Sequence, residues 1–255
     1  VQNTARVIRL THGFTLPQRR AIERCVEEMA IGMIRYQKQQ SLDGLGDIKE
    51  LSEYCYYVAG VVGVMLTELF CDYSPDTAIH RDQMLELAVS FGQGLQMTNI
   101  LKDIWEDRQR GACWLPRSVF AACDFKMHDL AAHLNDSCYR DVLEELIAQA
   151  YLHLANALEY TLYVPEKEKG IRRFCFWSLG MALLTLRKIN KYKDFSSGQE
   201  VKISRRSVKA TILATELVLG GNKRARWLFD RVAKGLPQVP SKTRAADPAA
   251  ASQEL

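Results

Sequence analysis

Apolar residues recur at every third or fourth position along almost the whole chain, and period-two alternation between turn dipeptides is rare. That pattern predicts helices over 2–12, 16–39, 47–71, 75–110, 137–163, 168–192, 204–218 and 221–234. Two helix starts are written locally. Thr15 and Leu16 precede Pro17, a proline suited to a first turn, and Ser74-Pro75-Asp76 sets a capping serine before a proline and an acid. Gly44-Leu45-Gly46 predicts a break, Gly111 to Pro116 ends the helix before it, and Gly220-Gly221 separates the last two helices. From Leu236 onward, Pro237, Pro240, Pro248, alanines and small polar residues predict a disordered tail over 236–255. With no internal repeat, the expectation is one all-α domain over residues 1–235.

Two of these helices depart from an ordinary amphipathic pattern. The one at 47–71 is apolar nearly all round beyond Cys55, which predicts a central, buried element. Its Gly60 and Gly63 each weaken a helix by up to about 1 kcal/mol relative to Ala. Close helix packing explains them, and so does room for a long apolar ligand. The second is Gln96 to Asp107. At about 100° per residue it places Gln96, Asn99, Asp103 and Asp107 in one stripe, beside Met97, Ile100, Leu101, Ile104 and Trp105. Two carboxylates four residues apart repel each other. A divalent cation would relieve that, with a bound diphosphate completing its coordination. The plainer alternative is a solvated acidic face on which Lys102 and Glu106 form an i,i+4 pair.

With 255 residues, 47% hydrophobic and 25% charged, the chain can bury a sizeable core. The net charge of +4 is mild and its cations are scattered among acids, which argues against a nucleic-acid surface but leaves room for a basic pocket that holds a small anion. Seven dispersed cysteines form no zinc-like spacing and read as free thiols packed as small hydrophobes, pointing to a reducing compartment. The histidines form neither a metal cluster nor a catalytic triad. No run of 18 apolar residues occurs, so no membrane span is expected. Trp105, Trp114, Trp177 and Trp227 read as core or edge packing, Tyr56 and Tyr57 as structural, and Arg187 to Lys193 as a solvated helix end.

Together, Tyr54-Cys55-Tyr56-Tyr57-Val58-Ala59-Gly60-Val61-Val62-Gly63 and the run from Gln96 to Asp107 resemble the head-to-head isoprenyl diphosphate synthases, the squalene/phytoene synthase family. Phe174-Cys175 with Met181-Ala182, and Val201-Lys202-Ile203 before Ser204, Arg205 and Arg206, resemble the squalene synthases in particular. The similarity covers roughly residues 1–235. It implies an isoprenoid synthase helical bundle with a central apolar cavity, binding two farnesyl diphosphates with Mg²⁺. By resemblance, Asp103 and Asp107 hold the metal and its diphosphate, and Gln96, Asn99 and Lys102 line that site. Tyr54 matches the tyrosine assigned to proton transfer, and Val58, Val62 and Leu66 match positions along the isoprenoid tunnel. Phe174 matches an aromatic that stabilises a carbocation, and Asn99, Lys102, Lys202 and Arg205 match residues near diphosphate and NADPH. The chemistry suits these types: cations offset the leaving charge, an apolar cavity excludes water, and aromatic faces attract the developing carbocation. No GxGxxG fingerprint is present, so the NADPH step rests on the resemblance alone.

Two features depart from the family. A first aspartate-rich motif is expected upstream of the tyrosine helix. Asp43 and Asp47 have a suitable spacing, but they flank Gly44 and Gly46 in a predicted loop and lie too near Tyr54. By position the motif would precede Val1, so the chain reads as lacking N-terminal helices, and if nothing precedes Val1 no synthase activity is expected. Second, Ser204 stands where squalene synthases commonly carry a basic residue. The expected activity is condensation of farnesyl diphosphate through presqualene diphosphate and reduction by NADPH to squalene. A dehydrosqualene, phytoene or presqualene diphosphate synthase without reduction, or an inactive helical assembly-factor-like relative, remains open. A cytoplasmic protein, soluble or peripherally attached at the inner face of the membrane, is expected; oligomeric state is not legible.

Overall fold

Thr15 closes a capping box with Gln18, each side chain accepting from the other's backbone N–H, and Pro17 sits in the first turn, so α2 (Leu16–Lys38) begins where its sequence predicts. The structure, a computed structural model, describes residues 2–239; the expected tail lies mostly outside the described residues. Ahead of α2, the short α1 (Thr4–Thr11) buries nothing. Asp47 caps α3 (Ile48–Cys55), accepting from the Glu50 N–H at 2.9 Å, which makes it a cap in a loop as Gly44 and Gly46 predict. A π turn (Tyr56–Gly60) joins α3 to α4 (Val61–Tyr73). Ser74 caps the short α5 (Pro75–Ala78). There follow α6 (Arg81–Lys102), α7 (Ile104–Gln109), two 3₁₀ turns (Arg117–Phe120 and Met127–His133), α8 (Ser137–Tyr163), α9 (Lys169–Lys191), α10 (Gly198–Val201), α11 (Arg205–Val218) and α12 (Asn222–Ala233). Among the described residues there is no strand, only an isolated bridge between Leu45 and Pro116.

At the centre lies α6, packed against α4, α8, α9 and the π turn. Its approach to α4 is backbone on backbone. A Cβ at Gly63 would fall 2.2 Å from the Ala88 carbonyl oxygen, and one at Gly92 would fall 2.2 Å from that of Ala59. Close packing therefore requires these glycines. Behind α6, Ser90 Oγ lies 2.8 Å from His153 Nδ1 and accepts from Asn156 Nδ2 at 2.9 Å, a polar link inside the α6–α8 interface. The buried Arg172 donates to the Val164 carbonyl and to Asn222 Oδ1, tying the end of α8 to α9 and α12.

Several expectations need correction. The helix at 47–71 is not buried all round: most of α4 is half-buried, because one side faces a groove. The continuous run Ile48–Tyr73 is also long and apolar enough to cross a membrane, although here it packs against α2 and α6. The helix at 75–110 is three segments, with a break at Asp103 where Gly198 packs onto the Lys102 carbonyl. Cys123 and Cys138 form a disulfide, with Cα atoms 5.7 Å apart, because the 3₁₀ turns fold back onto the start of α8. This pairing removes two of the seven free thiols expected; Cys25, Cys55, Cys71, Cys113 and Cys175 are free. Trp227 packs in neither core nor edge: it is 64% exposed on α12.

Candidate functional site

An apolar groove opens between α4, α6, α8 and α9, with an empty volume of about 630 Å³ including its open mouth. That lies within the range of small-molecule pockets. Val58, Val62 and Leu66 form one wall, and Ala88, Phe91, Gly92 and Leu95 of α6 form another. Phe70 and Phe174 meet edge to face at 6.3 Å by the mouth, where Phe174 is 48% exposed. Tyr160 also lines the groove. Thr67 Oγ1 donates to the Gly63 carbonyl and so accepts from the Tyr160 hydroxyl, 2.9 Å away. The wall thus satisfies its own polar groups, and the surface it offers a ligand is almost all carbon.

The α6 wall continues into the acidic motif. At about 100° per residue, Ala88, Gly92, Leu95 and Asn99 share one narrow arc, and Asn99 stands about 6 Å along the axis from Leu95. Beyond it the backbone bonds Asp103 N–H to Asn99 O and Asp107 N–H to Asp103 O, both 2.9 Å, carry the chain across the break. Asp103 pairs with Lys102 Nζ at 3.1 Å and Asp107 with Arg110 at 3.6 Å; their side chains are 37% and 21% exposed. Lys102 Nζ also donates to Asn99 Oδ1 at 3.2 Å. Burial, and after it the charge of Asp103, pushes the Asp107 carboxyl above its ordinary value.

Tyr54 is buried and stacks on Trp114 with ring centroids 4.4 Å apart; Tyr36 meets it edge-on at 5.0 Å. Burial, then Cys55, then the Asp107 charge push its phenol well above the usual tyrosine range. Tyr54 does not line the groove. Trp114 is held by two crossing loops. Leu45 N–H donates to Leu115 O and Arg117 N–H to Leu45 O, at 2.9 and 2.8 Å. Gly44, at φ +76°, permits the crossing, since a Cβ there would sit 2.4 Å from Leu115 O. Tyr56 donates to Glu28 at 2.6 Å, and the ring of Tyr57 packs over Gly32, so both are structural as expected.

Glu106 does not pair with Lys102. Its carboxylate turns away from the stripe and accepts from the Gly198 N–H at 2.9 Å and from Ser197 Oγ at 3.3 Å. Lys202 and Arg205 follow on this docked segment, both exposed. Lys188 Nζ grips the Lys202 carbonyl at 2.7 Å, and Lys193 pairs with Glu144 at 2.8 Å, so the 187–193 stretch is a satisfied helix end. Ser204, the departure from the family pattern, caps α11 by accepting from the Ser207 N–H at 3.1 Å.

No three His, Cys, Asp or Glu side chains gather into a metal cluster among the described residues. What is present is two neighbouring carboxylates and an amide, all hard oxygen donors, one carboxylate being disfavoured in its charged form. Such a set suits a hard divalent cation only when phosphate oxygens complete the coordination.

The structure thus brings Val58, Val62, Leu66 and Phe174 to one groove, and Asn99, Lys102, Asp103 and Asp107 to its continuation, with Gln96 half-buried on the same helix. Phe70, Phe91, Leu95, Tyr160 and Trp114 were not anticipated as site residues. Extending the Asn99 stripe upstream by one to three turns would have found Leu95 and Ala88; the others depend on packing between distant elements.

The bundle resembles solved structures. The complex of TcSQS with the ligand BPH1237 superposes with a TM-score of 0.70 at 20% identity, covering 89% of this chain and 71% of that one. A dehydrosqualene synthase complex gives 0.64 at 22% identity, covering 76% of this chain and 64% of that one. The fold is therefore the all-α isoprenoid synthase fold. In sequence, squalene synthase ERG9 of Saccharomyces cerevisiae is 28% identical over 203 residues, covering 78% of this chain and 44% of the relative. Human squalene synthase is 34% identical over 139 residues, 54% of this chain and 32% of the relative. The chain spans less than half the length of these two relatives. The sequence signature named squalene/phytoene synthase matches residues 1–207, most of the chain, and the chain accordingly belongs to the squalene/phytoene synthase family.

Proposed function

We propose that the chain serves a squalene synthase: head-to-head condensation of two farnesyl diphosphates through presqualene diphosphate, then NADPH-dependent reduction to squalene. The observation that carries this reading is the single face of α6 that lines an apolar groove and runs on to Asn99, Asp103 and Asp107. A prenyl chain in the groove sets its diphosphate at the acidic end. There Asp103 and Asp107 would hold Mg²⁺, which would supply positive charge against the leaving diphosphate, and Lys102 and Asn99 would contact its oxygens. Val58, Val62 and Leu66 keep water from the allylic cation, and the rings of Phe174, Phe70 and Phe91 face it. Tyr54, a protonated phenol, orders the diphosphate end and relays the proton lost on ring closure by passing its own proton to the released diphosphate as it takes up the new one. Lys202 and Arg205, exposed on and after the segment docked against α7, would contact the NADPH phosphates.

Product analysis tests this reading. The complete gene product is incubated with farnesyl diphosphate and Mg²⁺, with and without NADPH, and the hydrocarbons are separated by gas chromatography. Squalene formed only with NADPH is expected. Dehydrosqualene formed regardless of NADPH, or phytoene formed when geranylgeranyl diphosphate replaces farnesyl diphosphate, selects the non-reductive alternative. No consumption of farnesyl diphosphate selects the inactive helical relative. A cytoplasmic enzyme touching the inner face of the membrane is consistent with the cationic surface of α12 around the exposed Trp227, where Lys223, Arg224 and Arg231 are also exposed.

A further inference from the structure

The acidic motif contains three carboxylates, and the structure divides them. Asp103 and Asp107 pair with Lys102 and Arg110, whereas Glu106 faces the segment after α9. Five contacts hold that segment. The Gly198 N–H and Ser197 Oγ both donate to Glu106. The Gly198 Cα lies so close to α6 that a Cβ would meet the Lys102 carbonyl at 2.9 Å and the Glu106 carboxylate at 3.0 Å. Phe195 is buried edge-on to Trp105, 6.4 Å between centroids, and Lys188 holds the Lys202 carbonyl. The residues bracketed by these contacts, 102 on one side and 202 on the other, are the cations assigned to the diphosphate and to NADPH.

We propose that Glu106 is a positioning residue that couples the diphosphate end of α6 to the Ser197–Ser204 segment, holding Lys202 at the site by its bonds to Gly198 and Ser197. The inference rests on the reading of Asp103 and Asp107 as the diphosphate site and deepens it. A carboxylate accepting from a backbone N–H and a hydroxyl makes charge-assisted bonds, about twice as strong as neutral ones. They sit one residue from Asp107 and against the carbonyl that precedes Asp103. Any ligand that moves or stiffens the 103–107 turn therefore acts on the segment, and by linkage the segment acts equally on the ligand's affinity.

The test uses inorganic diphosphate with Mg²⁺ as the probe on the full-length protein, with calorimetry for affinity and hydrogen–deuterium exchange read at the Gly198 amide. In the wild type, diphosphate with Mg²⁺ slows exchange at Gly198. Glu106→Ala should speed that exchange about tenfold, weaken the probe by about tenfold, and abolish the ligand-induced slowing. Glu106→Gln keeps one acceptor oxygen and should restore part of all three. Gly198→Ala, which forces the backbones apart, should weaken the probe similarly, and combining it with Glu106→Ala should add little. Asp103→Asn should lose the probe while leaving Gly198 as protected as in the unliganded wild type. If Glu106→Ala loosens Gly198 without changing affinity, or leaves Gly198 protected, the coupling is overturned while the site reading stands. If the wild type binds no diphosphate, the site reading falls and the coupling with it.

Discussion

The groove wall on α6 and the acidic end at the α6–α7 break follow one another along the chain, yet they are held by different forces. Along the groove, α4 and α6 touch through backbone at Gly63 and Gly92, and the lining residues are apolar. At the acidic end, position is set by half-exposed charges: Lys102 on Asp103, Arg110 on Asp107, Glu106 on Gly198. The first arrangement is rigid because close-packed backbone has no room to yield. The second is adjustable, because partly solvated ion pairs are individually weak and exchange partners readily. A binding site for a prenyl diphosphate needs both: a wall that does not reshape around a reactive cation, and an end that accepts a cation and an anion and then releases them.

The contrast can be broken hardest at its rigid end. Gly63→Ala puts a Cβ 2.2 Å from the Ala88 carbonyl oxygen, so the helices must separate. A loss of about 3 kcal/mol is expected, a fall in melting temperature of roughly 10 °C by calorimetry. Retention of the wild-type melting temperature would refute the backbone contact.

A subtler challenge comes from a group inside the rigid half that titrates on the acid side of neutral. Burial lowers His153 to about 4 from an ordinary 6.5. The unfolded chain therefore binds a proton that the folded chain refuses, and stability falls as pH drops from 6.5 toward 4. Those 2.5 units correspond to roughly 3 kcal/mol when complete. Denaturant midpoints measured across that range in the wild type and in His153→Gln should converge at low pH. Parallel curves would show that His153 is not the group responsible.

The smallest effect on stability belongs to the acidic end, and its sign is reversed. Asp107 carries a raised carboxyl value because burial and Asp103 oppose its charge. Asp107→Asn should stabilise the fold by about half a kcal/mol, yet weaken Mg²⁺–diphosphate binding at least tenfold. In the wild type, the same raised value makes that binding fade as pH falls, starting at a higher pH than an ordinary carboxylate would allow. Calorimetric titrations from neutral to acid pH check it, and an Asp107→Asn protein that is less stable yet binds normally would reverse the comparison.

Much of this architecture was written locally. Thr15 and Ser74 cap helices because a cap needs only the next three residues. Gly44 breaks the chain because only glycine takes φ +76° without strain. The stripe from Gln96 to Asp107 was legible because helical geometry turns spacing into a face, and its resemblance to a family supplied a meaning for that face. Gly60 and Gly63 were legible as exceptions only, since packing and ligand space predict the same missing side chain. Tertiary structure shows Gly63 serving both, against Ala88 and in the groove lining.

By itself, then, the amino-acid order determined the helices, their caps and breaks, the apolar face of α4 and the carboxylate pair, because each depends on residues within a turn or two of one another. Only the folded chain decided that Trp114 lies on Tyr54, that Cys123 meets Cys138, and that Glu106 holds Gly198, 92 positions away, rather than Lys102. The physical reason is range: hydrogen-bonded turns are settled by neighbours, whereas stacking, disulfide bonding and the choice between two partners for one carboxylate depend on which distant backbones the core brings together.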